Sequence, residues 1–169
     1  MTGILFFLKR DMRGSAAVEM VLSLPILLVL IFGSLELGNY FLTEHKVVKA
    51  VRDGARYAAR QPFSEYPGCS PSATVVDETR NVTMTGQVAT GGTPKLGYWT
   101  DPNSVDVTAA CDSSPGGTYS GIYEDPTAPG VPVVTVSASV PYTPVVGQLG
   151  LTSTTLTLSA TQESPVTGI

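Results

Sequence analysis

Basic charge is nearly missing from the far part of this sequence: beyond Arg60 only Arg80 and Lys95 carry it, and charged residues of both signs make up 14% of the chain. With a net charge of -4 there is no basic face from which DNA or RNA would release counterions, so nucleic acid is not an expected partner. Histidine occurs once, at His45, and any Ser-His-Asp or Cys-His arrangement would have to be built around it. No nucleophile stands beside a base, so catalysis is not expected, and neither a cofactor nor a metal is implied. Cysteine occurs only at Cys69 and Cys111. Both lie beyond the long apolar run, where an exported domain meets an oxidising compartment, and a disulfide is expected in place of two unrelated buried thiols. Closing that loop would stabilise a small domain by about 4 kcal/mol on the chain-entropy argument.

What the chain does have is an uneven distribution of apolar residues. Aliphatic side chains crowd between Ala16 and Leu35, while the remainder is rich in Thr, Ser, Gly and Pro, which signals two solvents. From Ser15 to Leu35 a helix would be about 31 Å long at about 1.5 Å per residue, enough to cross the hydrocarbon of a bilayer. A secretory signal peptide places its small-residue cleavage site after the apolar stretch. Here the basic run Lys9-Arg10-Asp11-Met12-Arg13 ends at Gly14-Ser15, and the apolar stretch follows, so a cut after Gly14 would keep the anchor. The basic cluster before the span and the cysteines after it both put the N-terminus in the cytoplasm and the bulk of the chain outside.

One ionisable residue, Glu19, sits inside the apolar segment, where an unpartnered charge costs about 2 to 3 kcal/mol at the bilayer centre and less near an interface. Cleavage after Gly14 would turn Ser15 into an ammonium one helical turn from Glu19, a spacing at which the two charges can pair within a chain or between neighbours. Without cleavage, Glu19 snorkels at the edge of an ordinary anchor. Pro25 removes a backbone hydrogen bond within the same helix, and a kink or local melting is expected there.

The run Gly14-Ser15-Ala16-Ala17-Val18-Glu19 followed by an aliphatic helix resembles the prepilin peptidase signature of type IV pilins and pseudopilins. Extended through Asp53-Gly54-Ala55-Arg56-Tyr57-Ala58-Ala59, it resembles the TadE-like minor pilins of the tight-adherence (Tad/Flp) pilus. The resemblance covers the first 60 residues; beyond them it rests loosely on Val131 to Val140, Pro141-Tyr142-Thr143-Pro144 and Leu156 to Ala160. It implies a structural or assembly-priming subunit cut between Gly14 and Ser15, with other pilins and minor pilins, a prepilin peptidase and an inner-membrane assembly platform as partners, beside the lipid bilayer. Met20 stands after Glu19 where the major Flp pilins tend to carry Tyr, which favours a minor pilin or pseudopilin. The competing function is an uncleaved signal-anchored envelope adhesin or binding module.

The fold class expected is α+β: a long transmembrane helix kinked near Pro25, an amphipathic stem, and a small antiparallel β domain with long loops. Its divisions are a leader at 1–14, a span at 15–35, a stem at 36–61 and an extracytoplasmic domain at 62–169. In the stem, Leu37, Tyr40, Phe41, Val47, Val48, Val51 and Ala55 recur at helical spacing, and Pro62 ends the helix near Ala59 to Gln61. Lys49, Arg52, Arg56 and Arg60 form a second stripe, with Glu44 and Asp53 near enough to pair with some of them. That stripe is either a solvated face or a contact for acidic neighbours and lipid head groups.

Strands are expected at Val82 to Val88 (Gly86 a bulge), Val105 to Val107, Val133 to Val140 and Thr154 to Gln162. One apolar face is made by Val134, Val136, Ala138 and Val140, and another by Leu156, Leu158 and Ala160. Residues 141–153 read as a packed hairpin loop, and turns dominate 91–130. Asp101-Pro102-Asn103-Ser104-Val105-Asp106 reads as an Asx-type turn, since it lacks the central Gly and distal Glu of a calcium loop. Glu124 and Asp125 read as a turn before Pro126, not an acid pair. Asn81-Val82-Thr83 fits a glycosylation pattern that chance often supplies. Trp99 and Tyr98 either fill the core or form an exposed patch.

Overall fold

The computed structural model of the 169-residue chain describes residues 12–112, 121–123, 130–145, 147 and 156–168. Helix α1 spans Met12–Ala59, 48 residues, and is followed by α2 (Ala73–Thr85), β1 (Val105–Asp112), β2 (Val131–Pro141) and β3 (Thr157–Pro165). The strands form one antiparallel sheet in the order β1-β2-β3. Val107 pairs with Val136, which pairs in turn with Gln162. The sheet packs against α1, and α2 lies alongside α1 and β1.

Among the described residues one helix is long and apolar enough to cross a membrane: residues Ala16–Ala59, whose most apolar window has a mean hydropathy of 2.4 and none of its residues buried. α1 continues through Pro25 as one helical element, so the expected local melting is not found. In a run of good helix formers the loss of one backbone bond is tolerated.

The upper part of α1 builds the core. Val47, Ala50, Val51, Ala55, Ala58 and Ala59 are buried against the sheet and α2, together with Trp99, Tyr66, Val75, Leu158 and the β2 face Val134, Val136, Ala138 and Val140. The stem is therefore one wall of the sheet domain's interior. Trp99 fills the core, its indole N–H donating to Ser104 Oγ at 2.7 Å, while Tyr98 is half-buried.

The end of α1 is finished by residues remote in sequence. A helix C-terminus leaves its last carbonyls without intrahelical donors. Here the Ala58 carbonyl accepts from the Tyr66 hydroxyl at 2.6 Å, and the Ala59 carbonyl accepts from the Thr167 N–H at 2.7 Å. Cys69, just beyond, is bonded to Cys111 at the end of β1, which ties the turn after α1 to the sheet.

Several expectations are corrected. Val82 to Val88 is not a strand: Val82 to Thr85 are the last turn of α2, and Gly86 is its left-handed cap at φ 81°, not a bulge. Ser72 starts that helix by accepting from the Val75 N–H, and Val75, Thr79, Val82 and Thr83 fall on its buried face. β1 runs on to Asp112, well past Val107, so strand replaces part of the turn-rich stretch expected at 91–130. Leu156 precedes β3 and is exposed, while Leu158 is buried and Ala160 half-buried. Most of the loop expected at 141–153, and Glu124 and Asp125, lie outside the described residues.

α1 and α2 touch at one close point. A side chain on Gly54 would bring its Cβ to 2.0 Å from Thr83 Oγ1, and that hydroxyl already donates to the Thr79 carbonyl at 2.7 Å. The absence of a Cβ at Gly54 is what lets the two backbones approach.

Candidate functional site

Three groups of polar residues stand out along α1, one at its foot, one at its middle and one on its upper flank. At the foot, Gly14 lies in the first turn, exposed and with open space around it. Glu19 is exposed one turn higher; its carbonyl accepts from Ser23 Oγ at 2.8 Å, and among the described residues its carboxylate has no partner. Above it, most of the large aliphatic side chains from Val18 to Leu42 are exposed. Exposed alkyl surface of that extent is at home in lipid or against other apolar helices.

At the middle, Glu36 follows the last residue of the apolar run. The Tyr142 hydroxyl donates to the Glu36 carboxylate and accepts from Asn39 Nδ2 at 2.8 Å. Tyr40 stacks edge-on against the Tyr142 ring with centroids 5.3 Å apart. Burial first, and then the hydrogen bond to Glu36, pushes the Tyr142 phenol up to about 12. Sequence reasoning missed this cluster, since the partners lie 106 residues apart. The available signal was an acidic residue placed directly after a membrane-length apolar run.

On the upper flank, Lys49, Arg52, Arg56 and Arg60 are all exposed. None of the four is in an ion pair among the described residues. Asp53, expected to pair with this stripe, is instead 3.4 Å from Lys95 Nζ, which the loop after α2 brings to it. Arg52 and Arg56, with Ala55, line one side of a shallow hollow of about 270 Å³ whose other side is Gln162, Glu163 and Ser164 of β3. His45 is exposed beside Lys49 and Arg52 in a neighbouring depression.

Elsewhere, polar groups are used structurally. Asp101 accepts from the Asn103 N–H at 2.9 Å, the Asx-type turn expected. Asn81 donates to the Val88 carbonyl at 3.0 Å and fastens the turn after α2. Tyr57 donates to Glu78 across the α1–α2 contact, and its phenol is pushed up to about 12 by burial and then by that carboxylate. Among the described residues no three of His, Cys, Asp and Glu converge as a metal site would require.

A family model described as TadE-like protein matches residues 14–56. The match starts at Gly14, takes in Glu19, the apolar run and Glu36, and ends at Arg56, before the sheet begins. No curated protein and no solved structure matches the chain.

Proposed function

From the match of residues 14–56 to a TadE-like family model, we propose that the protein is a structural component of a Tad pilus, a minor pilin or pseudopilin. It serves as a structural or assembly-priming subunit that a prepilin peptidase matures by cutting after Gly14. The observation that carries this reading is the foot of α1, where Glu19, whose carboxylate has no partner among the described residues, stands beneath a long exposed aliphatic surface.

The chemistry follows from that arrangement. Cleavage gives Ser15 an ammonium, and bundling of α1 with the helices of other pilins carries that charge into a low-dielectric core. An unpaired charge there costs several kcal/mol, and a neighbouring Glu19 recovers much of it. The aliphatic surface supplies helix-to-helix packing, and the sheet domain faces outward on its disulfide-tied frame. Before assembly the protein sits in a bacterial inner membrane, N-terminus inside, next to the assembly platform. Lys49, Arg52, Arg56 and Arg60 then offer cations to acidic neighbours or lipid head groups.

The deciding experiment is the mass of the mature N-terminus in the native host. Ser15 is the expected first residue, and Gly14→Leu is expected to leave a slower-migrating precursor. A native N-terminus at Met1 or Thr2, with no size shift in the variant, overturns the reading in favour of an uncleaved anchor. Glu19→Ala is expected to be cleaved normally yet to be recovered poorly with sheared pili; wild-type recovery would refute the charge-pairing step.

A further inference from the structure

Strand β2 and the upper part of α1 run antiparallel and have matching lengths. At the far end, Val166 N–H donates to the Pro132 carbonyl and Thr167 N–H to the Ala59 carbonyl, so the start of β2 lies level with the end of α1. At the near end Tyr142 meets Glu36. Ten strand residues at about 3.3 Å each and 23 helical residues at about 1.5 Å each both cover roughly 34 Å. The β2–β3 end of the domain therefore comes down to Glu36, the first residue past the membrane-length apolar run.

This end carries apolar surface that the core does not use. Outside α1, the exposed large hydrophobic side chains among the described residues are Val88, Ile122, Val145 and Leu156. Two of these four, Val145 and Leu156, flank Tyr142, whose N–H donates to the Leu156 carbonyl at 2.7 Å. On α1 the same level holds Tyr40 and Phe41, with Phe41 half exposed. The headgroup layer adds roughly 5 to 8 Å on each side of the hydrocarbon. From Leu35 to Tyr40 a helix rises about 7 Å, so this collar of Phe41, Val145 and Leu156 falls within that layer.

We infer that the membrane-proximal end of the β domain, the exposed Val145 and Leu156 on either side of the buried Tyr142, is a second membrane contact that seats the domain in the headgroup layer of the outer leaflet. The occupant is lipid because Tyr142, which Val145 and Leu156 flank, meets Glu36 and Tyr40 at the end of the exposed apolar run. The Glu36–Tyr142–Asn39 hydrogen bonds hold the domain down at that level, so that it does not ride free on a stalk. The inference rests on α1 crossing the bilayer, not on cleavage or on assembly into a filament.

The test uses the full chain in phosphatidylcholine vesicles, with single cysteines introduced one at a time as Val145→Cys, Leu156→Cys, Thr74→Cys and Val21→Cys. The native cysteines are bonded to each other, so an environment-sensitive dye labels only the new thiol. Brominated lipid is expected to remove most of the dye signal at 145, 156 and 21 and none at 74, which lies at the far end of the domain. If 145 and 156 behave like 74 while 21 is quenched, the span stands and the second contact is wrong. If 21 is not quenched either, the span fails and this inference with it. Shielding of 145 and 156 that shows only at high protein-to-lipid ratio would assign the patch to a second copy and overturn the assignment to lipid.

Discussion

The two halves of α1 differ more from each other than either does from the rest of the molecule. From Ala16 to Leu42 the helix carries large aliphatic side chains that are mostly exposed; from Thr43 to Ala59 its inward face is small, with Ala50, Gly54, Ala55, Ala58 and Ala59 buried. Among the described residues the lower half has no buried side chain and needs no close approach. The upper half must admit a second helix and a sheet at short range, and small residues permit that. One continuous rod is thus an exposed apolar segment, long enough to cross a membrane, in its lower half and an interior element in its upper half. A force applied to the lower half is delivered directly to the core of the outer domain.

Changes that act on one half and spare the other should break this contrast, and the largest effect is expected from the disulfide. Cys111→Ser should cost the outer domain about 4 kcal/mol, seen as a lower denaturant midpoint in detergent, with the helical content of the lower half of α1 retained. A loss of both together would mean that the halves unfold as one unit.

Gly54→Ala sharpens the same contrast when set beside Gly38→Ala. An added methyl at Gly54 meets Thr83 Oγ1, which cannot swing aside without breaking its bond to the Thr79 carbonyl. Overpacking of this kind costs about 1 to 3 kcal/mol, against about 1 kcal/mol gained in helix propensity. A methyl at Gly38 meets nothing within 4 Å and should be neutral or slightly stabilising. Equal effects in chemical denaturation would contradict the division.

Alkaline pH should loosen the upper half by a smaller amount. Tyr57 and Tyr142 are pushed from 10.0 to about 12, each chiefly by burial and next by a carboxylate that accepts its hydroxyl. The folded state prefers the neutral phenol, so the stabilisation is complete below pH 10 and is lost as pH rises toward about 12. Phenolate absorbance should lag behind free tyrosine, melting temperature should fall in that window, and Tyr142→Phe should remove one of the delayed titrations. The smallest effect is expected from Lys95→Met, which removes the ion pair with Asp53: about 0.2 to 1 kcal/mol in the same denaturation experiment, less at high salt.

Legibility in the sequence followed the range of the interactions. β2 could be read because Val134, Val136, Ala138 and Val140 alternate with small polar residues, and a period of two needs no knowledge of the partner strand. α2 could not, because Val82, Met84 and Val88 alternate as a strand would while the polar Thr79 and Thr83 sit on the buried helical face. The signals that would have identified it were Ser72 as a cap and Gly86 as a stop, both of which depend on the helical reading already being in hand. At the candidate site, Gly14, Glu19 and the exposed cations were visible as residues. The pairing of Glu36 with Tyr142 and of Asp53 with Lys95 was not.

The sequence by itself determined where the long apolar run lies, that one helix carries it, where Pro62 stops that helix, and that two cysteines fall beyond it. These follow from composition and local periodicity, which act within a few residues. Only the tertiary structure decided that the upper half of α1 is core and not stalk. It also decided that Thr167 and Tyr66 finish the helix, and that Tyr142 brings the sheet down to Glu36. Each of these rests on hydrogen bonds or packing between residues far apart along the chain, where many pairings satisfy the same local pattern and the packing of the whole domain selects one.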